Sequence, residues 1–408
     1  QMCIRDRVNI DPTVSARIRG ASDIDAGSVV VRAQTNHEAN ANGNASAGAV
    51  GSISRIEARA TIGGSVLAEI TGTGLTVDAG SVTVDAASIV DADAVAAGIN
   101  GGALAVGEAK SVATVNPSVT ARIGGGATVT ATGGAVTILA RHNVSDDGTV
   151  VTESGDFGMD ASASSTASAG ALIGVSGANS SATSGAQITA ELTVGTVIAG
   201  SLAVRTLGDS DATSIATSRI GALIGGGTTT STATVQGFAT ARINGAIVTT
   251  SGLTSVNAND AANANASGTA GAGGLAAGVG GNSTSTVTRS VTADIRGSST
   301  NVTAGDVRVG AIGLMGSLAT TSGVAGGALA AGDSKATATT TATVRAEIRD
   351  AINVAANGAS GDVIVEAFFN VTDKNGGGAT GNAARATGNT SVGGAGSISS
   401  TDITASST

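Results

Sequence analysis

The densest set of oxygen ligands in the chain is the acidic stretch SDDGTVVTESGDFGMD at 145–160, where Asp146, Asp147, Glu153, Asp156 and Asp160 could gather around a hard cation. Calcium is the cation such a set would suit, since it takes several carboxylate and carbonyl oxygens at once. The spacing fits neither an EF-hand nor a GGxGxD repeat, and the competing reading is a solvated acidic loop. Threonine rows offer a second chemistry. Thr228, Thr230, Thr232 and Thr234 would share one face of an extended segment, as would Thr284, Thr286, Thr288 and Thr292. A flat hydroxyl row can order water and bind ice, but Thr is also simply a good exposed-strand residue. Arg55, Glu57, Arg59 and Glu69 beside Thr61 are expected to interrupt any continuous ladder.

The remaining candidates carry less. His37 and His142 occupy different offsets within their repeats, so stacking would not bring them together, and both read as surface residues rather than a general base. Glycines resembling GxGxxG at 271–281 lie between two extended segments and do not open a helix, the context that a dinucleotide site requires. No Trp or Tyr supplies a platform for sugar, and the Asn-x-Ser/Thr triplets at 143–145 and 301–303 are expected by chance in this composition. No catalytic, cofactor-binding or metal-ligating residue is assigned, no cofactor is expected, and the chain reads as a non-enzyme.

Composition narrows the class further. Charged residues make up 12%, about half the ~25% usual in soluble domains, while the chain carries 62 Gly and four aromatics, all Phe. Such a core must be built from Ala, Val and Ile, which favours thin stacked sheets. The net charge is −9, and Lys110, Lys335 and Lys374 are the only lysines, which excludes a nucleic-acid reader built on basic clusters. No uninterrupted apolar run is long enough for a transmembrane helix, so no membrane insertion by this segment is expected. The only cysteine, Cys3, lies in QMCIRDR; residues 1–7 resemble a translated transposon end from a sequencing library and are set aside as a scar.

The elements that would hold any site repeat at a fixed period. VSARI (14–18), VLAEI (66–70), VTARI (119–123), ITAEL (188–192), ATARI (239–243), VTADI (291–295) and VRAEI (344–348) close at steps of 52, 53, 69, 51, 52 and 53 residues. A second motif keeps step: GSVVVRA at 27, GSVTVDA at 80, GAVTILA at 134, GSLAVRT at 200, GDVRVGA at 305 and GDVIVEA at 361. Between them runs a long strand, a Gly/Ala bend and a long return strand. In KATATTTATVRAEI the even positions from Ala336 to Ile348 are mostly small or apolar and the odd ones polar, the period of a half-buried strand. Pro117 on the apolar face of its strand removes a ladder donor, so a bulge or an unpaired edge is expected there. The fourth residue of the VTARI motif alternates in sign, Arg17, Glu69, Arg122, Glu191, Arg242, Asp294, and fails only at Glu347. Stacked equivalents would favour that order.

The cycle GDVTVxA, the Ala/Gly/Ser strand pair with GGALAAG at its bend, and VTARIxxGATVTA resemble the arrays of large bacterial surface proteins of the filamentous adhesin type, leukotoxin-like or haemagglutinin-like. That resemblance covers residues 8–408 and implies an exported, elongated β-solenoid with no catalytic motif. The expectation is an all-β solenoid, parallel β-helix-like, of seven to eight stacked repeats of about 52 residues, with one or two coils per repeat left open. Residues 8–408 would form a single array carrying an inserted loop near 145–160. Both ends read as cut, DITASST at 402–408 looking like a further anchor stopped partway. The function expected is a structural stalk or adhesive segment at the cell surface or outside the cell, its partners an unknown surface ligand or neighbouring repeats. The alternative is an ice- or surface-binding solenoid using its Thr rows.

Overall fold

The computed structural model describes residues 2–151, 160–371 and 384–407. Among these residues there is no helix, and the strands join into one parallel sheet wound into a solenoid. Register settles the size of the turn: Leu202 stands beside Thr254, Thr254 beside Val307, and Val307 beside Val363. Each repeat is therefore one large coil.

A plain coil contains three strands. Leu253–Gly273 runs outward, the chain bends, Ala276–Arg296 returns through the VTADI motif, and Asn301–Ala304 closes the turn before the next coil begins at Asp306–Gly326. The bend needs glycine. A Cβ on Gly274 would lie 1.8 Å from the Ala222 carbonyl oxygen of the adjacent coil, and one on Gly327 would lie 2.2 Å from that of Gly274. Asn116 and Pro117 fall in a break between Val82–Val115 and Ser118–Gly124, as the missing amide donor requires.

The coil is a wedge. At its wide end Ile70, Leu75, Ile123, Ile138, Leu192, Ile243 and Ile295 are fully buried, supplied by the VTARI strands, the short strands and the starts of the outgoing strands. Towards the bend the interior narrows to Ala, Ser and Gly. There the two long sheets approach so closely that hydroxyls on one reach backbone carbonyls on the other. Ser180 Oγ donates to Ala163 O at 2.7 Å, Ser231 Oγ to Ser214 O at 2.7 Å and Ser285 Oγ to Ala264 O at 2.8 Å. That reach holds the sheets well inside the ~10 Å that separates faces carrying large side chains. The near absence of aromatic residues is thus a geometric requirement.

The charged column forms as its alternation implies, and its carboxylates Glu69 and Asp294 are buried. Glu69 stands between Arg17 and Arg122, and Arg242 between Glu191 and Asp294. Glu69 is fully buried under Arg17, Arg19 and Arg122, with Arg122 Nε 2.7 Å from Oε2. Burial raises its pKa, and the hydrogen bonds and charges of Arg122 and Arg19 outweigh that, leaving it below the usual carboxylate value. Asp294 is likewise buried, held by Arg242 Nε at 2.9 Å and Arg296. Where alternation fails, Glu347 is bracketed by Arg345 and Arg349 of its own strand.

Two further placements concern the ends. Residues 2–7 of the segment set aside above continue into the strand Met2–Ile10, which lies beside Ser54–Ile62, with Arg5 on Glu57 at 3.0 Å. Asp402–Ala405 stacks on Lys335–Ala338, in the middle of the return strand, so it is not an equivalent of the VTARI anchor.

Arg242→Glu is expected to lower the melting temperature at low salt, with the loss shrinking in high salt as screening weakens the repulsion of Glu191 and Asp294. Thermal melts by circular dichroism at two ionic strengths check this; a salt-independent loss would mean that packing, and not charge, sets the effect.

Candidate functional site

The plain coil is interrupted where the acidic stretch enters. His142 stands beside Ser88, and the next residue to rejoin that neighbouring strand, Asp160, stands beside Asp91. The insertion therefore lies within 143–159, and Asp160 belongs to the strand Asp160–Ser184 rather than to the loop. Residues 145–149 form a turn closed by a Val144–Val150 bridge.

A specific device lets the chain leave. Asn143 has φ +54°, a left-handed conformation that Asn tolerates better than most residues. Its side-chain amide accepts from Val90 N at 2.9 Å and donates to Val90 O at 3.2 Å. The side chain thus stands in for the peptide group that would have continued the ladder. Asn370, with φ +55°, does the same: it accepts from Met315 N at 2.6 Å and donates to Met315 O at 3.1 Å. Both begin the tetrapeptide pattern Asn-Val-Ser/Thr-Asp, at 143–146 and 370–373. The neighbouring strand resumes at Ala384, beside Ser317, so a second insertion lies within 370–383. The sequence signal was present in NVSD and NVTD, but Asn-x-Ser/Thr triplets were set aside as chance.

Beneath the first insertion lies a polar interior. His142, expected at the surface, is fully buried, its Nε2 3.0 Å from Asp160 Oδ1. Asp160 also accepts from Asn143 Nδ2 at 3.1 Å, Ser184 Oγ at 2.8 Å and the backbone N of Asp211 at 2.8 Å. His37 stands beside Val90, outside the His142 column, so the two histidines do not meet. Further along the His142 column come Gly208, Asp260 and Gly313. Asp260 pairs with Arg289 across the interior, Nε to Oδ2 at 2.5 Å and Nη2 to Oδ1 at 3.0 Å, both side chains fully buried. Arg289 Nη1 also donates to the carbonyls of Ala186 and Gln236 at 2.7 Å each. Space for this pair comes from adjacent coils: a Cβ on Gly208 would lie 2.1 Å from Asp260 Oδ1, and one on Gly237 2.8 Å from Arg289 Nη1. Removing one member of such a buried pair costs about 3–5 kcal/mol.

Outside this network a groove of about 350 Å³ runs from the hairpin across the next coils. Val144, Asp147 and Val150 wall it on the hairpin side, and Arg205, Leu207, Asp209, Asn259, Ile312 and Leu314 line the rest. Asp209 is pushed up to about 8 by burial first and then by the negative charges of Asp211, Asp160 and Asp260. Asp211 rises to about 6 for the same reasons, opposed by its hydrogen bond from Asn263. Asp147, exposed at the turn, is held down at about 2 by Ser145 Oγ and the Thr149 amide. The groove can therefore present a protonated carboxyl, a guanidinium, an amide and an ionised carboxylate within one apolar surround.

Among the described residues the acidic stretch does not converge on a cation site. Asp160 faces the interior and is spent on four hydrogen bonds, Asp147 caps its own turn, and Glu153 and Asp156 lie outside the described residues. Among the described residues no three His, Cys, Asp or Glu are placed to hold a metal ion.

The Thr rows fare differently. Thr61, Thr114, Thr183, Thr234, Thr286 and Thr339 stand in one unbroken column. Beside it, two residues away along the strand, run Thr232, Thr284, Thr337 and Thr404. The interruption expected from Arg55, Glu57, Arg59 and Glu69 does not occur in the first column, because those residues occupy other columns.

These features define the class, a parallel β-solenoid with a groove beside its first insertion. The chain matches no protein-family profile, no curated protein and no solved structure.

Two outcomes are expected. Asp209 and Asp211 keep protons in the fold at pH values where the unfolded chain has lost them, so the folded state binds more protons between about pH 4 and 8 and stability falls as pH rises through that window. Asp209→Asn should flatten the decline in melting temperature between about pH 5 and 8; an unchanged slope would show that Asp209 does not carry it. Deleting 145–159 while keeping Asp160 leaves two residues between His142 and Asp160, as many as separate Ser88 from Asp91 in the adjacent coil. The β signal in circular dichroism should survive that deletion, and its collapse would show that the insertion is part of the fold.

Proposed function

We propose that the chain is a non-catalytic structural or adhesive segment, a stiff stalk of a large exported surface protein. The observation that supports this most is the neighbour-only register, in which coil follows coil at 51–56 residues except across the two insertions. Stacks of this kind supply length, stiffness and a long exposed surface. The polar groups that converge at Asp160 and at Asp260–Arg289 are engaged with one another within the interior. An acidic, repetitive surface stays soluble and disfavours docking on anionic membranes. Its partner would be a surface ligand or further repeats of the same kind. The complete reading frame tests this: an export signal upstream and more repeats or an anchor downstream are expected, and a short intracellular frame would sink the reading.

A second reading rests on the unbroken Thr column. Hydroxyls there repeat at about 4.8 Å between coils and about 6.6 Å along each strand, a regular two-dimensional lattice. Binding to ice or another crystalline surface would use that lattice. Thermal hysteresis of the purified chain, lost in Thr234→Leu and Thr286→Leu, is the expected result; no hysteresis in the parent chain removes the idea.

A further inference from the structure

Near the bend, the outer face of the return sheet is apolar and open, and its relief is uneven in an ordered way. One outward column reads, coil by coil, Ile53, Val106, Val175, Gly226, Gly278, Ala331 and, in the outermost coil, the exposed Ile398. Ile53 and Val175 are about half exposed and form a raised half. Gly226 and Gly278 form the floor of a hollow half: a Cβ added to either would meet nothing within 4 Å. Over Gly278 and Ala331 lies a trough of about 530 Å³, walled by Ile224, Leu329 and, in the next coil, Ile398. The neighbouring column, nearer the bend, reads Gly51, Leu104, Ile173, Ile224, Ala276, Leu329.

We propose that this face is the interface of a homodimer, two copies of the chain packed face to face about a two-fold axis parallel to the strands. The axis lies between the coil of Val175 and the coil of Gly226. It keeps strand direction and reverses coil order, so each coil meets its mirror-numbered counterpart. Val175 then meets Gly226 of the second copy, Val106 meets Gly278 and Ile53 meets Ala331. In the neighbouring column Leu104 meets Ala276, Gly51 meets Leu329, and Ile173 meets Ile224. Raised and hollow positions are thus paired in the first column and, for two pairs of three, in the second. An isologous interface requires this kind of self-complementarity.

Charge obeys the same axis. The next outward columns read Arg55, Glu108, Gly177, Thr228, Gly280, Asp333 and Glu57, Lys110, Asn179, Thr230, Asn282, Lys335. Across the axis Arg55 meets Asp333, Glu57 meets Lys335, and Glu108 and Lys110 meet the uncharged Gly280 and Asn282. Arg5 and Asp402, in the outermost coils of the second of these columns, also meet with opposite sign. No like charges face each other in these columns. Six coils at ~4.8 Å and four outward positions per strand give about 600 Å² per copy, or ~1,200 Å² in total, the lower bound of a specific stable interface. Aligned packing of two sheets is also a common arrangement. The Thr columns of the two copies would face each other as well, so the dimer and ice binding exclude one another, whereas a stalk accommodates the dimer.

Sedimentation velocity and light scattering on the purified full chain test this across a range of concentrations. The expected mass is twice the 38.3 kDa of the chain. Gly226→Val would set a raised residue against Val175 of the second copy, and should shift the species to monomer with the circular dichroism melt retained. Adding Val175→Gly exchanges raised and hollow positions, and should restore the dimer. A parent chain that is monomeric at every concentration overturns the proposal. So does a dimer that Gly226→Val leaves intact, or one that the double variant fails to restore while remaining folded.

Discussion

The parallel register between coils governs everything else in this molecule. Each residue sits ~4.8 Å from the equivalent residue of the coil on either side, so no interior side chain has a volume of its own. A coil that spends more space takes it from its neighbours. The Asp260–Arg289 pair shows this directly, because the space it fills is left by Gly208 on one wall and Gly237 on the other. Glu69 shows the electrostatic form of the same rule: it is buried, and the adjacent coils supply Arg17 and Arg122. Pattern in this chain is a property of columns more than of segments.

The wedge shape follows from how each end solves the burial problem. At the wide end three walls meet, and Ile, Leu and Val fill the space at roughly 25 cal/mol per Å² of apolar surface removed from water. In the narrow wing only two walls exist, so Ala and Gly let them close, and Ser hydroxyls link them through backbone carbonyls. Each such bond contributes about 0.5–1.5 kcal/mol. The wing is held by many weak, evenly spaced links.

The period of the VTARI motif, the strand alternation and the break at Pro117 were all legible in the sequence, because each depends on spacing within one repeat or between exact copies. What was not legible depends on depth and on comparison across coils. His142 looked like a surface residue since nothing in its own segment marks it as interior; its burial follows from the column it joins. Arg55, Glu57 and Arg59 seemed to break the Thr ladder because they share a strand with Thr61, yet ladders run across strands. Asp160 was grouped with the acidic loop by proximity, although its four hydrogen bonds place it in the wall. The second insertion was marked by NVTD, a signal with meaning only once Asn143 is seen replacing a peptide group.

Gly208, Asp260 and Gly313 also bear on how such a chain can lengthen. Tandem copying of one coil places every residue directly against its own duplicate. For coils lined with Ala, Val and Thr that is harmless. A copied coil carrying Asp260 and Arg289 would press two aspartates together where glycine is now required, and two arginines likewise. That coil is therefore a fixed point in the lineage of the array, and growth by duplication has to proceed through the plain coils around it.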